Sequence, residues 1–144
     1  YSPCQKGAVG REKRMRALTV AVSVCGLVLV AAGASGAHVV PVESASRWDG
    51  ALLYGFVHTL AALGAALFPK RGRLSRASGW AFLAGVLLFS GVQIAKALTA
   101  SGGVSPLDGL TMLVPIGGGA FMLGWVLLGL AALLGGRAGE RESP

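Results

Sequence analysis

The charges of this chain sit in short clusters, and the intervals between the clusters are long enough to cross a bilayer. No Asp, Glu, Lys or Arg occurs within Ala17–Ala37, Gly50–Pro69, Ala77–Ala95 or Gly109–Gly136. A hydrocarbon layer of ~30 Å takes ~20 residues of helix at ~1.5 Å rise each. Lipid offers the backbone no hydrogen-bond partner, so a spanning segment must be a helix or part of a closed barrel. Aliphatic runs without period-two alternation exclude the barrel. Composition agrees: 53% of the residues are hydrophobic, 13% are charged and 23 are glycine. So little charge cannot coat a water-facing globule, and the mean hydropathy of +0.66 points the same way. Disorder, a disulfide-stapled scaffold and a collagen-like chain are excluded on the same grounds.

The expected fold is therefore an all-α membrane protein, a four-transmembrane-helix up-down bundle whose short connections make sequential helices antiparallel neighbours. Its spans are expected at about 17–37, 50–69, 77–95 and 112–136. They form one transmembrane domain over 17–136, between a basic N-terminal tail at 1–16 and a C-terminal tail at 137–144. Lys6, Arg11, Lys13, Arg14 and Arg16 precede the first span, Lys70, Arg71, Arg73 and Arg76 follow the second, and Arg137 and Arg141 follow the fourth. Only Arg47 and Lys96 of the 13 basic residues fall on the other side, with Glu43, Asp49 and Asp108. The positive-inside rule then places both termini and the middle loop in the cytoplasm, and the surplus of +7 becomes a topology signal. Nucleic-acid binding is not expected, since no base-reading or stacking element accompanies the basic residues. The basic start, the apolar run and the small residues of 32–37 imitate a cleavable secretory signal, but the run is long for one and reads as a true first helix. The chain opens on Tyr1 rather than Met, and a processed or incomplete start is expected. Arginine outnumbers lysine nine to four, and alanine and glycine together supply 46 residues. This bias fits a GC-rich bacterial genome and an inner-membrane location.

Burial alone cannot drive helices together in lipid, so small residues at four-residue spacing are the expected contact surfaces. They recur as Ala32/Gly36, Ala61/Ala65, Ala81/Gly85, Gly91/Ala95 and Ala120/Gly124. Trp48 and Trp80 read as interface anchors. The fourth interval is too long for a simple span, and it contains Pro115 followed by Gly117, Gly118 and Gly119. A missing backbone donor and three weak helix formers predict a kink or break near Pro115–Gly119. Two readings of that break stand side by side. One is a half-helix terminus presenting backbone groups to a ligand; the other is a glycine face for close helix packing.

Polar side chains at membrane depth are expensive and mark candidate sites. His58 leads them, ~12 Å from the outer end of its span. Tyr54, one turn before it, shares its face. Ser90 and Gln93 complete a candidate polar intramembrane site, with Thr59 in the same slab. A histidine at this depth can relay protons, ligate a metal or hydrogen-bond a quinone-like carbonyl, or it can simply be a neutral ring bonded within the bundle. His38, at the outer boundary, lies ~10 Å or more above His58, too far to share a metal or haem. Cys4 and Cys25 have no metal-ligand spacing and cannot bridge. With no embedded acid, catalytic triad, paired carboxylate or phosphate loop, no enzyme, cofactor or metal is expected.

These motifs carry a resemblance. Ala31 through His38 is similar to the "GAFGAH" end of the first helix in a small membrane family, domain of unknown function 423, which includes the transmembrane protein 256-like proteins. Tyr54 through Ala61 resembles that family's "Y-x-x-x-H-x-L-A" second helix. Leu88-Phe89-Ser90-Gly91 resembles its "LFSG", and Pro115 through Trp125 its "TPxGG…GW". Ser35 replaces the usual phenylalanine, Val114 the usual threonine, and Val92-Gln93 the usual Ser-Leu. Loss of the hydroxyl at Val114 weakens a polar site at the break. The resemblance implies four helices in a bacterial or mitochondrial membrane and no particular activity.

Three functions follow as expectations. The first is a small accessory subunit packing, in the lipid bilayer, against other chains of a larger membrane complex. The second is a carrier of small molecules or ions, or a lipophilic-ligand site, at His58, Tyr54 and the Pro115–Gly119 break. The third is a homo-oligomeric scaffold.

Overall fold

The computed structural model describes residues 3–68 and 72–139. The expected tail ends at 1–2 and 140–144 and the turn at 69–71 lie outside the described residues. Five helices make four spans: α1 (Pro3–Val39), α2 (Ala45–Leu67), α3 (Arg73–Gly85), α4 (Val92–Thr99) and α5 (Leu113–Gly139). Helices α3 and α4 are one continuous span joined by a π-helical stretch, Val86–Gly91. Short 3-10 turns at Val42–Ser44 and Asp108–Met112 lead into α2 and α5. The segments long and apolar enough to cross a membrane are Met15–Val39, Val42–Leu67, Arg73–Thr99 and Asp108–Leu134, as the charge-free intervals require.

Helix α1 starts at Pro3, well inside the expected tail. Its basic stretch is rich in good helix formers, and Arg16 pairs with Glu12 one turn away at 2.6 Å. It ends just before Pro41, and α2 ends just before Pro69, since a residue preceding proline resists helical geometry. The connection between α4 and α5 reverses at Gly102 and Gly103, both at positive φ. Ser101 and Val104 exchange both backbone hydrogen bonds across this turn, a geometry that favours glycine at its two central positions.

The span α3–α4 is the hub. Its most extensive contact is with α5, then with α2, and α1 packs on α2. Close approach comes from glycines facing large side chains. A Cβ at Gly124 would stand 2.6 Å from the Phe82 ring, one at Gly79 2.7 Å from Leu18, and one at Gly55 2.8 Å from Leu29. Gly36 and Gly85 are likewise filled by Trp48 and Phe121. Leu18, Val22 and Leu29 of α1 join Ala62, Ala66, Phe82, Leu83, Val86 and Phe121 in one buried cluster. The ring does not close: α1 and α5 make at most marginal contact, and α2 and α5 flank the hub with almost no backbone approach.

Two expectations are corrected. Trp48 is no interface anchor: it is buried, with its indole against Gly36, because an absent side chain there leaves an indole-sized slot. Trp80, in contrast, is exposed on the outer surface of α3. The fourth span does not break at Pro115–Gly119. The irregularity falls earlier, at the 3-10 turn ending with Met112, and α5 runs unbroken through the glycines. Pro115 sits in the first turn of α5, where a missing N–H costs no intrahelical bond. Gly117 serves packing: a Cβ there would lie 2.6 Å from the Phe89 nitrogen and 3.0 Å from the Leu88 carbonyl carbon.

The contrast with the next residue is testable, because a Cβ at Gly118 meets nothing within 4 Å. Gly117→Ala is expected to cost about 1–3 kcal/mol, since backbone cannot step aside as a side chain can. Gly118→Ala should be neutral or slightly stabilising in a helix. Thermal unfolding in micelles reads both, and equal effects at the two positions would refute the backbone contact.

Candidate functional site

Two of the polar candidates, His58 and Tyr54, lie where α2 faces α5 across the hub. His58 and Tyr54 share one face of α2, as their spacing predicts, with rings parallel within 7° and centroids 5.9 Å apart. His58 is buried and lies flat on Phe121 of α5, at a centroid distance of 3.6 Å and an interplanar angle of 11°. Phe82 and Trp125 complete its surroundings at 5.8 and 6.2 Å. Rings thus bridge the space left between the α2 and α5 backbones. Aromatic contacts of this kind contribute roughly 0.5–1.5 kcal/mol each beyond their burial.

The histidine's protonation pattern follows from one contact. Its Nδ1 lies 2.8 Å from the Tyr54 carbonyl oxygen, which can only accept, so Nδ1 carries the proton. In the neutral ring Nε2 then holds the lone pair. Helical geometry supplies this bond from within α2, four residues back, and offsets part of the cost of placing an imidazole at membrane depth.

The other candidates are arranged separately. Ser90 is fully buried in the π stretch, 3.1 Å from where a Gly55 Cβ would stand, and its hydroxyl meets no protein partner. Thr59, also buried, is unpartnered as well. The remaining hydroxyls of the spans behave differently. Thr19, Ser23, Ser35 and Thr99 donate to carbonyls one turn back, while Ser78 donates across to the Gly124 carbonyl at 2.8 Å. Gln93 is half-buried and His38 is exposed in the last turn of α1. Neither joins the His58 cluster. Of the residues at the expected break, Gly117 alone belongs to the helix-packing surface described above; Pro115 is exposed, and Gly118 and Gly119 face open space. Among the described residues, no three His, Cys, Asp or Glu side chains converge on one point.

Sequence reading missed two groups. The first is the aromatic cage of Phe82, Phe89, Phe121 and Trp125. Its signal was spacing: Phe82 and Phe89 are seven residues apart and Phe121 and Trp125 four, so each pair shares a helix face. The second is a polar network at the α4 end of the hub. Lys96, only 5% exposed, places its Nζ 2.9 Å from Asp108 Oδ1 and donates to Thr111 Oγ1 at 2.7 Å. Asp108 also accepts from the Ser105 backbone N–H, and the Ser105 hydroxyl lies 2.8 Å from that of Thr99. Lys96, which the charge pattern places just beyond the third charge-free interval, lies within α4 and is the buried pin that fastens the α4–α5 connection to it.

A small, four-span helical membrane protein, without a strand among the described residues, is the class this geometry defines. The chain belongs to the protein family of unknown function DUF423, whose model matches residues 32–118. It is 36% identical to a UPF0382 membrane protein of Haemophilus influenzae, over 74% of this chain and 86% of that protein. It is 35% identical to the UPF0382 inner membrane protein YgdD of Escherichia coli, over 82% and 90%. The UPF0382 membrane protein YwdK of Bacillus subtilis is 28% identical over 83% and 98%. No solved structure matches the chain.

Two predictions separate packing from chemistry here. His58→Phe keeps the stacked ring and should stay within about 1.5 kcal/mol of the parent in unfolding measurements, whereas His58→Ala should lose about 3–5 kcal/mol. Equal losses from both would show that the imidazole nitrogens, not the ring, carry the contribution. At the Lys96–Asp108 network the order is asymmetric. Asp108→Asn strands a buried ammonium and should lower the melting temperature more than Lys96→Met, which removes the charge itself. The reverse order would contradict the buried pin.

Proposed function

We propose that this protein is a small accessory subunit of a bacterial inner-membrane assembly, with both termini cytoplasmic, and that it docks through the exposed face of α1. The observation that carries this reading is the unclosed ring. Only 17% of the most apolar window of the first span is buried, against 44% for the third, and α5 does not cover the remainder. Towards its C-terminal end the exposed α1 face includes the small residues Ala31, Ala34 and Ser35, beside the larger Val28 and Val30. The Ser35 hydroxyl is bonded to the Ala31 and Ala32 carbonyls, so the face needs no polar partner. Small residues allow a neighbouring helix to approach to backbone contact, which is what drives association in lipid. A stable contact of this kind buries upwards of ~1,000 Å².

The alternative, a carrier or quinone-like ligand site at His58 and Tyr54, finds less support. Phe121 covers one face of the imidazole and its Nδ1 is bonded within α2. A homo-oligomeric scaffold uses the same α1 face and differs only in what meets it.

Photo-crosslinking residues placed in cells at Val24 and Val28, exposed on α1, test the proposal against buried controls at Val22 and Leu29. The expected result is one discrete adduct with a different chain from the exposed positions alone. Adducts with lipid only would overturn the proposal. An adduct of twice the chain mass would replace it with the scaffold.

A further inference from the structure

Beyond Trp125 the seam between α2 and α5 opens into a groove of about 420 Å³, lined by Gly64 and Phe68 on one side and Trp125, Leu128, Gly129 and Ala132 on the other. That volume lies in the ~300–1,000 Å³ range of small-molecule sites. The two glycines leave it wide: a Cβ at Gly64 or Gly129 meets no atom within 4 Å. Apart from the Trp125 indole, its lining side chains carry no hydrogen-bonding group, so its occupant is a hydrocarbon chain.

The end of the bundle that holds this groove is cationic. Phe68 caps α2, and the Ser75 hydroxyl donates to the Ala65 carbonyl, holding the first turn of α3 against the last turn of α2. That first turn carries Arg73, exposed, and Arg76 follows it, half-buried. Among the described residues neither is in an ion pair. The turn contains no acid and has no side-chain cap, so its leading N–H groups also favour an anion. Basic residues beside a cleft between transmembrane helices suit an anionic lipid headgroup.

We propose that the α2–α5 groove binds one acyl chain of an anionic glycerophospholipid, whose phosphate is held by Arg73, Arg76 and the start of α3. The site lies on a different surface from the exposed face of α1, so its occupancy does not depend on the accessory-subunit reading. A neutral lipid offers the same chain but no charge for the arginines, and a partner helix would leave them unmatched.

Trp125 lines the groove and is half-exposed, which makes it a reporter. The full chain is placed in vesicles of phosphatidylcholine containing brominated phosphatidylglycerol or brominated phosphatidylcholine. The fluorescence lost in Trp125→Phe isolates the Trp125 signal from Trp48 and Trp80. Brominated phosphatidylglycerol is expected to quench Trp125 at a several-fold lower mole fraction. Each of Arg73→Gln and Arg76→Gln should reduce that preference by about fivefold at most, the equivalent of one surface charge. Gly129→Leu should fill the groove and abolish the preference while leaving the unfolding temperature unchanged. Gly64→Leu serves the same purpose should Gly129→Leu fail to fold. Equal quenching by the two lipids would overturn the proposal, since the groove would then hold bulk lipid. A preference that survives the leucine substitutions would also overturn it, leaving headgroup attraction without a groove. Weak quenching by both lipids would overturn it in favour of a protein helix seated on Trp125.

Discussion

The backbone of α5 rests directly on the backbone of the third span, and the rest of the bundle depends on that contact. At Gly117 there is no room for a single carbon between the two helices, and Gly85 sits against the Phe121 ring, with the Gly117 carbonyl oxygen next nearest. In lipid this intimacy replaces the hydrophobic driving force available to soluble bundles. It fixes the height of α5 along the hub, and so sets Phe121 flat against His58 and Gly124 against Phe82. The Ser78 hydroxyl then spans the same interface to the Gly124 carbonyl. With α5 committed to the hub, α2 and α5 cannot also meet, and aromatic rings fill the space between them. The cage around His58 is thus a consequence of glycine packing elsewhere.

Membrane family proteins of this size have few polar groups, and this chain spends most of its own internally. The imidazole, the Ser78 hydroxyl and the Lys96 ammonium are each bonded to a group of the same chain. Two buried hydroxyls, Thr59 and Ser90, depart from that rule among the described residues, and that of Ser90 borders Gly55. Ser90 lies in the π stretch, a geometry that recurs at functional positions in helices. Lys96 holds the α4–α5 connection to the hub in the same way that Ser75 holds the last turn of α2 to α3.

The number of spans and their approximate places were legible because charge cannot be carried across hydrocarbon. Their boundaries were less so. Arg47 and Asp49 lie within α2 and Lys96 within α4, because charges mark the edge of the lipid and not the end of the helix. The small-residue pairs correctly pointed to Gly36, Gly85 and Gly124 as contact points, yet the same pattern could not say which side chain fills each slot. Trp48 illustrates the loss: a tryptophan near a membrane edge looks like an anchor until the glycine opposite it is known. Of the polar candidates, only Tyr54 and His58 shared a face by spacing alone. Ser90 and Gln93 needed the path of the third helix, and the π stretch that alters that path leaves no mark in residue type. Pro115 and its glycines were read as a break because propensity weighs each residue singly, whereas proline in a first turn is harmless and tightly packed glycine is held in place.

That same π stretch leaves the packing face of the third span continuous along its length. Fourteen residues separate Phe82 from Lys96, close to four regular turns, so Lys96 and Ala97 lie on the continuation of the buried stripe that holds Ser75, Phe82 and Gly85. The lysine therefore reaches its buried place from the packing face of the span, and the residues that seat α5 and the residue that pins the connection to it share one inward line.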